Sequence, residues 1–331
     1  MKPSDYSLQL VMNNLKASQL LKKQIILMKN KALKRLICGF STFVILLTLF
    51  SFKLTAPVKR GTLPPDSSFK IKTIIVDAGH GDRPPEGGRY SPGAEGSYSL
   101  ERNVTLAIAK KLQALLEKEM PDVRIVMTRT DNYDVIWKKR ADIANSNRGD
   151  IFISIHCNSL PNRTIREVVG HRHHKPIYKS VSVPDRSGKG VLLLVYSTNR
   201  IGPQNTALLE NEIVGDDNKA ETSIDNKAED PTAIIMLNQM KNKFRQKSIH
   251  LADLINNEFT QTDGRPSDGV REQVVFVLDH TAMPSVLVET GYINNRSDED
   301  YLNSEKGQNE IAASIVRAVE KYRDEVEDTG K

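Results

Sequence analysis

The sequence predicts an α/β fold, in which a twisted, mostly parallel sheet carries helices on both faces within a single domain. Short apolar runs rich in β-branched residues alternate with longer segments whose apolar residues recur at helical spacing. This alternation is typical of parallel sheets that are covered on both faces. The 331 residues also have an ordinary globular composition, with 39% hydrophobic and 27% charged residues, which excludes a disordered or collagen-like chain.

The elements are predicted in a strand–helix order along the chain. The first strand covers residues 71–76, and the first helix covers about residues 100–118, where Val104, Ile108 and Leu112 share one apolar stripe. Further strands are predicted from VRIVMTR (123–129), DIFISIH (150–156), GVLLLVYS (190–197), VVFVL (274–278) and SVLVETGYI (285–293). Further helices are predicted at about residues 135–147, 240–259 and 308–325.

Two segments interrupt this rhythm, at about residues 160–188 and about residues 201–240. Insertions of this length in a compact domain are usually functional covers or disordered loops, and the sequence leaves both interpretations open. The domain is predicted to span residues 70–325 with these two insertions, and a short tail, 326–331, follows it.

The distribution of charge excludes nucleic acid as the expected partner. The formal net charge is +6, but residues 1–60 hold 11 basic residues and one acidic residue. The rest of the chain therefore has 36 basic residues against 40 acidic ones. A mildly acidic domain offers no basic patch for a phosphate backbone.

Residues 36–52 form an apolar segment of 17 uncharged residues that follows a cluster of lysines and Arg35. Its length suits either a cleaved export signal or a signal anchor, and a buried core helix is the structural alternative. The basic flank predicts that the lead-in within residues 1–54 is cytoplasmic and that the chain beyond Lys53 lies across the inner membrane. Residues 55–69 read as a linker. Met28 opens a typical signal start, so translation from Met1 or from Met28 stays open.

The two cysteines predict no disulfide framework. Cys38 lies at the start of the apolar segment, so Cys157 is the single cysteine of the predicted exported domain.

Four polar residues are predicted to meet at one edge of the sheet. His80 follows the first strand in VDAGHGD, His156 closes another strand in SIHCN, and Glu101 opens the first helix, where the loop 81–99 can return it to His80. Ligands collect at the carboxyl ends of strands in open α/β sheets. Two imidazoles and one carboxylate form a catalytic zinc set, because three protein ligands leave a fourth position for water. Glu289 lies within the apolar run VLVETGYI, where a lone carboxylate is costly to bury unless it pairs, binds or reacts.

Each of these residues also has a purely structural interpretation. A histidine at the end of a strand is often a hydrogen-bonded structural residue. The negative charge of Glu101 can simply interact favourably with the positive, N-terminal end of the helix dipole. Glu289 can form an ion pair with an arginine. The structural interpretations weaken when the four are taken together, because all of them would have to reach the same edge of one sheet by accident.

At these residues the sequence resembles the zinc-dependent N-acetylmuramoyl-L-alanine amidases (amidase type 3), in particular the branch that separates daughter cells. The matching motifs are IIVDAGHGD, Gly93, Glu101 with Asn103, MTRT, ISIHCNS and PSVLVETGYINN, across about residues 70–322. The resemblance implies that His80, Glu101 and His156 bind zinc. It also implies that Glu289 is the catalytic glutamate.

The resemblance further implies the substrate and the location. The bond to be cleaved joins the lactyl group of N-acetylmuramic acid to L-alanine in peptidoglycan, and the exported domain is expected in the periplasm or cell envelope. It is expected to be soluble, or anchored by residues 36–52 if the segment is uncleaved. Two rivals are another zinc peptidase or amidase that acts on wall peptides and a non-catalytic wall-binding module, which would have a degenerate set of ligands.

Two further expectations concern the insertions. In the cell-division branch, an insertion at the position of residues 201–240 carries a helix that covers the active site until an activator withdraws it. The resemblance therefore makes Glu210, and after it Glu212, candidates for self-inhibition, with a LytM-type protein as the expected activator. The alternative is a disordered acidic loop. The histidines of GHRHHKP (170–176) are interpreted as a solvated loop rather than as a second metal site.

Overall fold

The computed structural model describes residues 70–197 and 231–327, together with residues 19, 20 and 22. The chain divides into two compact units, Met1–Thr62 and Leu63–Lys331, and the second unit contains the domain. The apolar segment 36–52, the linker 55–69, and both Glu210 and Glu212 lie outside the described residues. Among the helices that the structure describes, none has the length and apolar character needed to cross a membrane.

The elements follow the predicted order with local differences. The strands are β1 (Thr73–Ala78), β2 (Arg124–Met127), β3 (Ile151–Asn158), β4 (Arg163–Arg172), β5 (Lys175–Val183), β6 (Val191–Tyr196), β7 (Ser267–Gln273) and β8 (Ser285–Tyr292). The helices are α1 (Glu101–Glu119), α2 (Trp137–Ser146), α3 (Pro231–Asn257), α4 (Phe276–Asp279), α5 (Arg296–Asn303) and α6 (Glu305–Glu327). A π-helical turn, Glu258–Thr262, continues α3.

The main sheet has six strands in the order β2-β1-β3-β8-β6-β7. Neighbouring strands run parallel from β2 through β8, and β6 pairs with β7 in parallel. Only the β6–β8 pair in this sheet is antiparallel. The sheet is therefore mostly parallel, as predicted, and the carboxyl ends of β1, β3 and β8 meet at one edge.

Helices cover both faces of the sheet. Alternate residues of each central strand point to opposite sides, so Val76 and Val288 join the large core with α1, α3 and α6. Ile75 and Leu287 join the smaller core on the other face, with α2 and α4. This arrangement confirms the predicted α/β architecture.

One predicted strand near the second half of the sheet is wrong. The apolar run VVFVL is not a strand, because Phe276 begins the short helix α4, whose Val277 and Leu278 are buried in the smaller core. The strand at this place is the preceding segment, β7, a polar edge strand that pairs only with β6. A short apolar run fits a buried helical turn as well as a strand, so periodicity cannot separate the two. The helix predicted at about residues 240–259 is present as α3, which begins earlier than predicted, at Pro231.

The first insertion contains a regular hairpin, which the sequence pattern did not predict. Strands β4 and β5 pair antiparallel over residues 163–183, with Arg172 opposite Lys175. The two residues between them, His173 and His174, have φ of 49° and 63°. A two-residue turn with positive φ at both positions is the type I′ turn, whose twist matches that of the strands. Most of the hairpin's side chains are exposed, so its strands lack the half-buried alternation that a prediction needs.

Candidate active site

His80, His156 and Glu289 are positioned by three neighbouring parallel strands. His80 lies two residues beyond β1, His156 lies near the end of β3, and Glu289 is the register partner of His156 on β8. His80 has φ of 61°, a left-handed conformation that few residues other than glycine adopt. Glu101 is the first residue of α1. The structure therefore brings together all four residues that the sequence singled out.

Glu101 contacts both imidazoles. Its Oε1 atom lies 3.2 Å from Nε2 of His80 and 3.1 Å from Nδ1 of His156. The two rings meet edge to face, with their centroids 4.8 Å apart. One ligand atom from each of the three residues lies within 4.8 Å of the others, and within the described part of the chain this is the only such group of three or more His, Cys, Asp or Glu residues. The arrangement can hold a metal ion.

The backbone around Glu101 keeps this carboxylate ionised and oriented. The N–H of Ala94 donates to Oε2 at 2.7 Å, and the N–H of Cys157 donates to Oε1 at 2.9 Å. Burial would raise the pKa of Glu101, but hydrogen bonds and charge interactions with His156 and His80 hold that pKa well below its usual range. Glu101 is therefore an anionic group with a fixed position.

Two glycines allow the ligand side chains to approach the backbone. A Cβ atom on Gly79 would lie 2.5 Å from the His156 ring, and one on Gly93 would lie 2.7 Å from Oε2 of Glu101. Gly93 also has a φ of 78°, which favours glycine. Any larger residue at these two positions would displace His156 or Glu101, which explains why glycines flank the site.

A buried charge network supports His80 from behind, and the sequence analysis missed it. Nδ1 of His80 lies 2.8 Å from Oγ of Ser91, whose N–H donates to Oδ2 of Asp134 at 2.8 Å. Arg140 donates to Oδ1 of Asp134 at 2.6 Å and to the carbonyl of His80 at 2.8 Å. It also donates to Asp77 at 2.6 Å. Partners of this kind fix the orientation of metal-binding histidines.

Asp77 is the member of this network that the sequence could have revealed. It is a charged residue at the end of a fully buried apolar strand, and it accepts hydrogen bonds from Thr128, Ser154 and Arg140. Burial would raise the pKa of Asp77, but the charge of Arg140 and these hydrogen bonds lower it overall. By contrast, Arg140 lies on the amphipathic helix α2, where arginines are ordinarily solvated. It is only 2% exposed, and no local sequence pattern predicts this burial.

Glu289 differs from Glu101 in having no pairing partner for one oxygen. Its Oε2 atom is buried and makes no hydrogen bond within the described residues. Burial, together with the negative charge of Glu101, raises the pKa of Glu289 to about 8. A carboxyl group with a pKa close to neutrality can accept and return a proton at physiological pH.

These residues line a cleft of about 470 Å³. His80, His156 and Glu289 form one part of its wall, while Trp137, Phe276 and their apolar neighbours form another. The hairpin histidines do not contribute to it. His171, His173 and His174 are exposed and form no metal-binding group with other described residues, as the interpretation of a solvated segment expects.

Fold and site together define an α/β protein with a candidate metal-binding site, in which two imidazoles and a carboxylate lie beside a glutamate whose buried Oε2 atom makes no hydrogen bond within the described residues. Comparisons with known proteins agree with this class. Residues 74–321 match the amidase type 3 family profile, described as N-acetylmuramoyl-L-alanine amidase. The chain therefore belongs to this family, and it is an N-acetylmuramoyl-L-alanine amidase that acts on peptidoglycan.

Individual relatives show the extent of the similarity. A Buchnera aphidicola (subsp. Baizongia pistaciae) protein named as an N-acetylmuramoyl-L-alanine amidase is 31% identical over 250 residues, which cover 75% of this chain and 95% of that protein. A Haemophilus influenzae protein named as the amidase AmiB is 31% identical over 252 residues, 75% of this chain but only 51% of that protein. The N-acetylmuramoyl-L-alanine amidase of Clostridium difficile 630 shares the fold, with a TM-score of 0.50 and 23% identity over 79% of this chain and 100% of that one.

Proposed function

We propose that this amidase is zinc-dependent, with His80, Glu101 and His156 as the metal ligands and Glu289 as the catalytic glutamate. The observation that carries the proposal is the convergence of the three donor groups beside a buried, unpaired carboxylate oxygen. The reaction is hydrolysis of the amide bond between the lactyl group of N-acetylmuramic acid and L-alanine of the stem peptide.

The residues present fit a zinc ion. Two imidazole nitrogens and one carboxylate oxygen are a donor set that catalytic zinc sites use, and three protein ligands leave a coordination position open. Nδ1 of His80 lies against Ser91, which leaves Nε2, the atom next to Glu101, available as the donor. Zinc held here supplies Lewis-acid activation of water and of the amide carbonyl.

The protein groups perform the proton transfers. Glu289 accepts the proton of the attacking water at its carboxylate and returns it to the nitrogen of the departing L-alanine. This second transfer matters because an unprotonated amine is a poor leaving group. Burial keeps Glu289 free of competing hydrogen bonds at Oε2, so its proton affinity is available to the substrate. The positive charge of a bound metal ion would offset the negative charge of Glu101. It would therefore lower the pKa of Glu289 from its metal-free value of about 8.

The cellular role is proposed from the sequence. The basic flank and apolar run of residues 36–52 support export to the periplasm, where the segment either is cleaved or anchors the enzyme. The resemblance to the cell-division branch supports a role in wall remodelling and daughter-cell separation. We also propose the domain layout of residues 1–54, 55–69, 70–325 and 326–331, with the regulatory segment between β6 and α3.

Self-inhibition by Glu210, or by Glu212 in its place, belongs to the same proposal. A carboxylate can compete with water for the open coordination position of a metal, and an unregulated amidase would lyse its own cell. Release is assigned to a LytM-type activator protein. Glu210→Ala, or deletion of residues 203–230, should raise the basal rate of peptidoglycan digestion. Equal rates for the wild type and the deletion variant without a partner would contradict self-inhibition.

Digestion of purified sacculi tests the reaction itself. The amidase should expose new amino-terminal L-alanine and release stem peptides, and activity should vanish with a chelator and return with Zn²⁺. Release of carboxyl-terminal amino acids alone would instead indicate a zinc carboxypeptidase. Binding to sacculi without release of any amine would indicate a wall-binding module.

A further inference from the structure

The cleft has an apolar wall that the metal ligands and Glu289 do not explain. Trp137, Val274 and Phe276 line the cleft together with His80, His156 and Glu289. Trp137 is 57% exposed and Val274 is 43% exposed, so the wall presents apolar surface to solvent beside the reacting groups. Exposed aromatic surface in a concave site is typical of ligand contacts rather than of packing.

The aromatic part of this wall is braced in position. The rings of Trp137 and Phe276 are in contact, with centroids 6.0 Å apart, and Phe276 stacks on His280 at 3.8 Å. His280 is fixed in turn by two hydrogen bonds. Its Nδ1 atom bonds the carbonyl of Phe276, and the side-chain amide of Asn145 donates to the carbonyl of His280. Asn145 belongs to α2, the helix that Trp137 begins. A platform held in place before binding loses little entropy when it takes up a ligand.

We propose that Trp137 and Phe276 form a subsite for a neutral N-acetylated sugar of the glycan strand. This inference rests on the amidase reaction assigned to the same cleft, and it identifies which side of the scissile amide the wall receives. A pyranose ring has apolar C–H faces that pack on aromatic rings, and its N-acetyl methyl group adds further apolar surface.

Charge decides between the sugar and the stem peptide as the occupant. Muramic acid carries its lactyl carboxyl as an amide in the substrate, so both sugars of the glycan are neutral, whereas the stem peptide carries free carboxylates. The wall residues 273–277 are one glutamine followed by apolar residues and offer no cationic group. Arg140 also lines the cleft, but its guanidinium is engaged with Asp77 and Asp134. Among the described residues that line this wall, an anionic peptide would therefore find no cationic side chain to pair with.

The chain's single tryptophan makes the proposal directly measurable. The probe is tetra-N-acetylchitotetraose, a neutral N-acetylglucosamine oligomer that contains no amide the enzyme cleaves from muramic acid. Added to the zinc-loaded full-length Glu210→Ala chain, in which the proposed self-inhibitory contact is absent, it should shift Trp137 emission to shorter wavelength in a saturable titration at millimolar concentrations. The anionic tripeptide L-Ala-γ-D-Glu-diaminopimelate should leave the emission unchanged. The same chain treated with a chelator should retain the saccharide response, because this readout requires neither metal nor turnover.

Kinetics provide the second arm. Two substrates are compared, a disaccharide–tripeptide and an N-lactoyl-tripeptide that lacks the sugars. Trp137→Ala should raise the ratio of the first KM to the second by about tenfold. Trp137→Phe should restore most of the difference. Tyr178→Ala is a matched control, because Tyr178 is also 57% exposed but lies on the hairpin, and it should not change the ratio of the two KM values.

Three results would overturn the subsite. These are an unshifted emission at saturating saccharide, a shift produced by the tripeptide instead, and an equal loss on both substrates in Trp137→Ala. The fluorescence arm is independent of catalysis, so a protein that binds the saccharide but cleaves no amide would refute the amidase assignment and leave the subsite standing.

Discussion

Two histidine-containing regions of this molecule share an unusual backbone conformation but differ in everything around it. His80 has φ of 61° beside the cleft, and His173 and His174 have φ of 49° and 63° at the hairpin tip. Glu101 and His156 lie within contact distance of His80, whereas the described residues place no such donor group around the hairpin histidines. The left-handed conformation is therefore not a mark of function by itself.

The difference lies in what the surrounding chain supplies. Around His80, three strands, one helix start and a buried arginine converge, and they impose the conformation. At the hairpin tip, the conformation follows from the geometry of a two-residue turn, and water solvates the side chains. Metal-binding side chains are oriented by a second layer of hydrogen-bond partners, and among the described residues His80 has such partners in Ser91, Asp134 and Arg140 whereas the hairpin histidines do not.

Replacing a single proposed zinc ligand should produce the largest difference between the sheet edge and the hairpin tip. His80→Ala and His156→Ala are expected to lose the bound zinc equivalent and the amidase activity, because two remaining ligands bind zinc weakly. The matched control replaces His171, His173 and His174 together by alanine and should retain one zinc per chain. Metal analysis after dialysis measures the outcome, and a full equivalent retained by either single variant would refute the ligand assignment.

Glu289→Gln separates chemistry from metal binding at the same edge. The variant should keep its fold and its zinc but lose about 100- to 10,000-fold in turnover, the usual contribution of a general acid–base group. Rates of L-alanine exposure from sacculi, normalised to zinc content, provide the measurement. Near wild-type cleavage would remove Glu289 from the mechanism.

Arg140→Met tests whether the second layer orients His80. Losing Arg140 leaves Asp77 and Asp134 buried without their cation, which should cost about 3–5 kcal/mol of unfolding free energy. Zinc affinity should fall by about 10- to 100-fold in parallel. The control Lys138→Met removes an exposed charge of the same helix that forms an ion pair with Asp142 one turn away, and it should cost about 0.5 kcal/mol or less.

Urea denaturation and chelator competition give the two quantities for Arg140→Met. If stability falls while zinc affinity stays at the wild-type value, the network serves the fold alone and does not position the ligand.

The metal-free protein should show the titration of Glu289 in its stability. Since the folded pKa is about 8 against an ordinary 4.5, the folded state binds more protons than the unfolded state between these values. Stability is therefore full below pH 4.5 and is lost as the pH rises towards 8, by at most about 1.4 kcal/mol per pH unit. Glu289→Gln should remove this slope. Urea melts in chelator at several pH values would contradict it if the two proteins lost stability equally.

The smallest effect is expected at the hairpin tip. Asparagine and glycine suit a type I′ turn better than two histidines, so His173→Asn combined with His174→Gly should stabilise the hairpin by about 0.5 kcal/mol. Hydrogen exchange of the β4 and β5 amides should slow by roughly twofold. Zinc content should not change. Faster exchange in this variant would show that the histidines make contacts of their own.

The sequence alone predicted the architecture and named the four polar residues that the structure brings together at one edge of the sheet. Apolar runs and helical stripes were sufficient for the sheet and its long helices, because their periodicity reflects burial directly. His80, His156 and Glu289 stood out as polar residues at or within buried strands. Glu101 was the weakest of the four on local pattern, since a glutamate at a helix start is ordinary, and its inclusion depended on the loop 81–99 returning it to His80.

Only the tertiary structure decided the rest. The role of Arg140 depends on its contact with Asp77 of β1, which lies 63 residues earlier in the chain. A local sequence pattern cannot predict a contact between segments that are so far apart. VVFVL became a helical turn because the smaller core accepts Val277 and Leu278 there. The hairpin strands escaped prediction because neither face is well buried. Periodicity records which face of a segment is covered, whereas contacts between distant segments are set by how the whole chain packs.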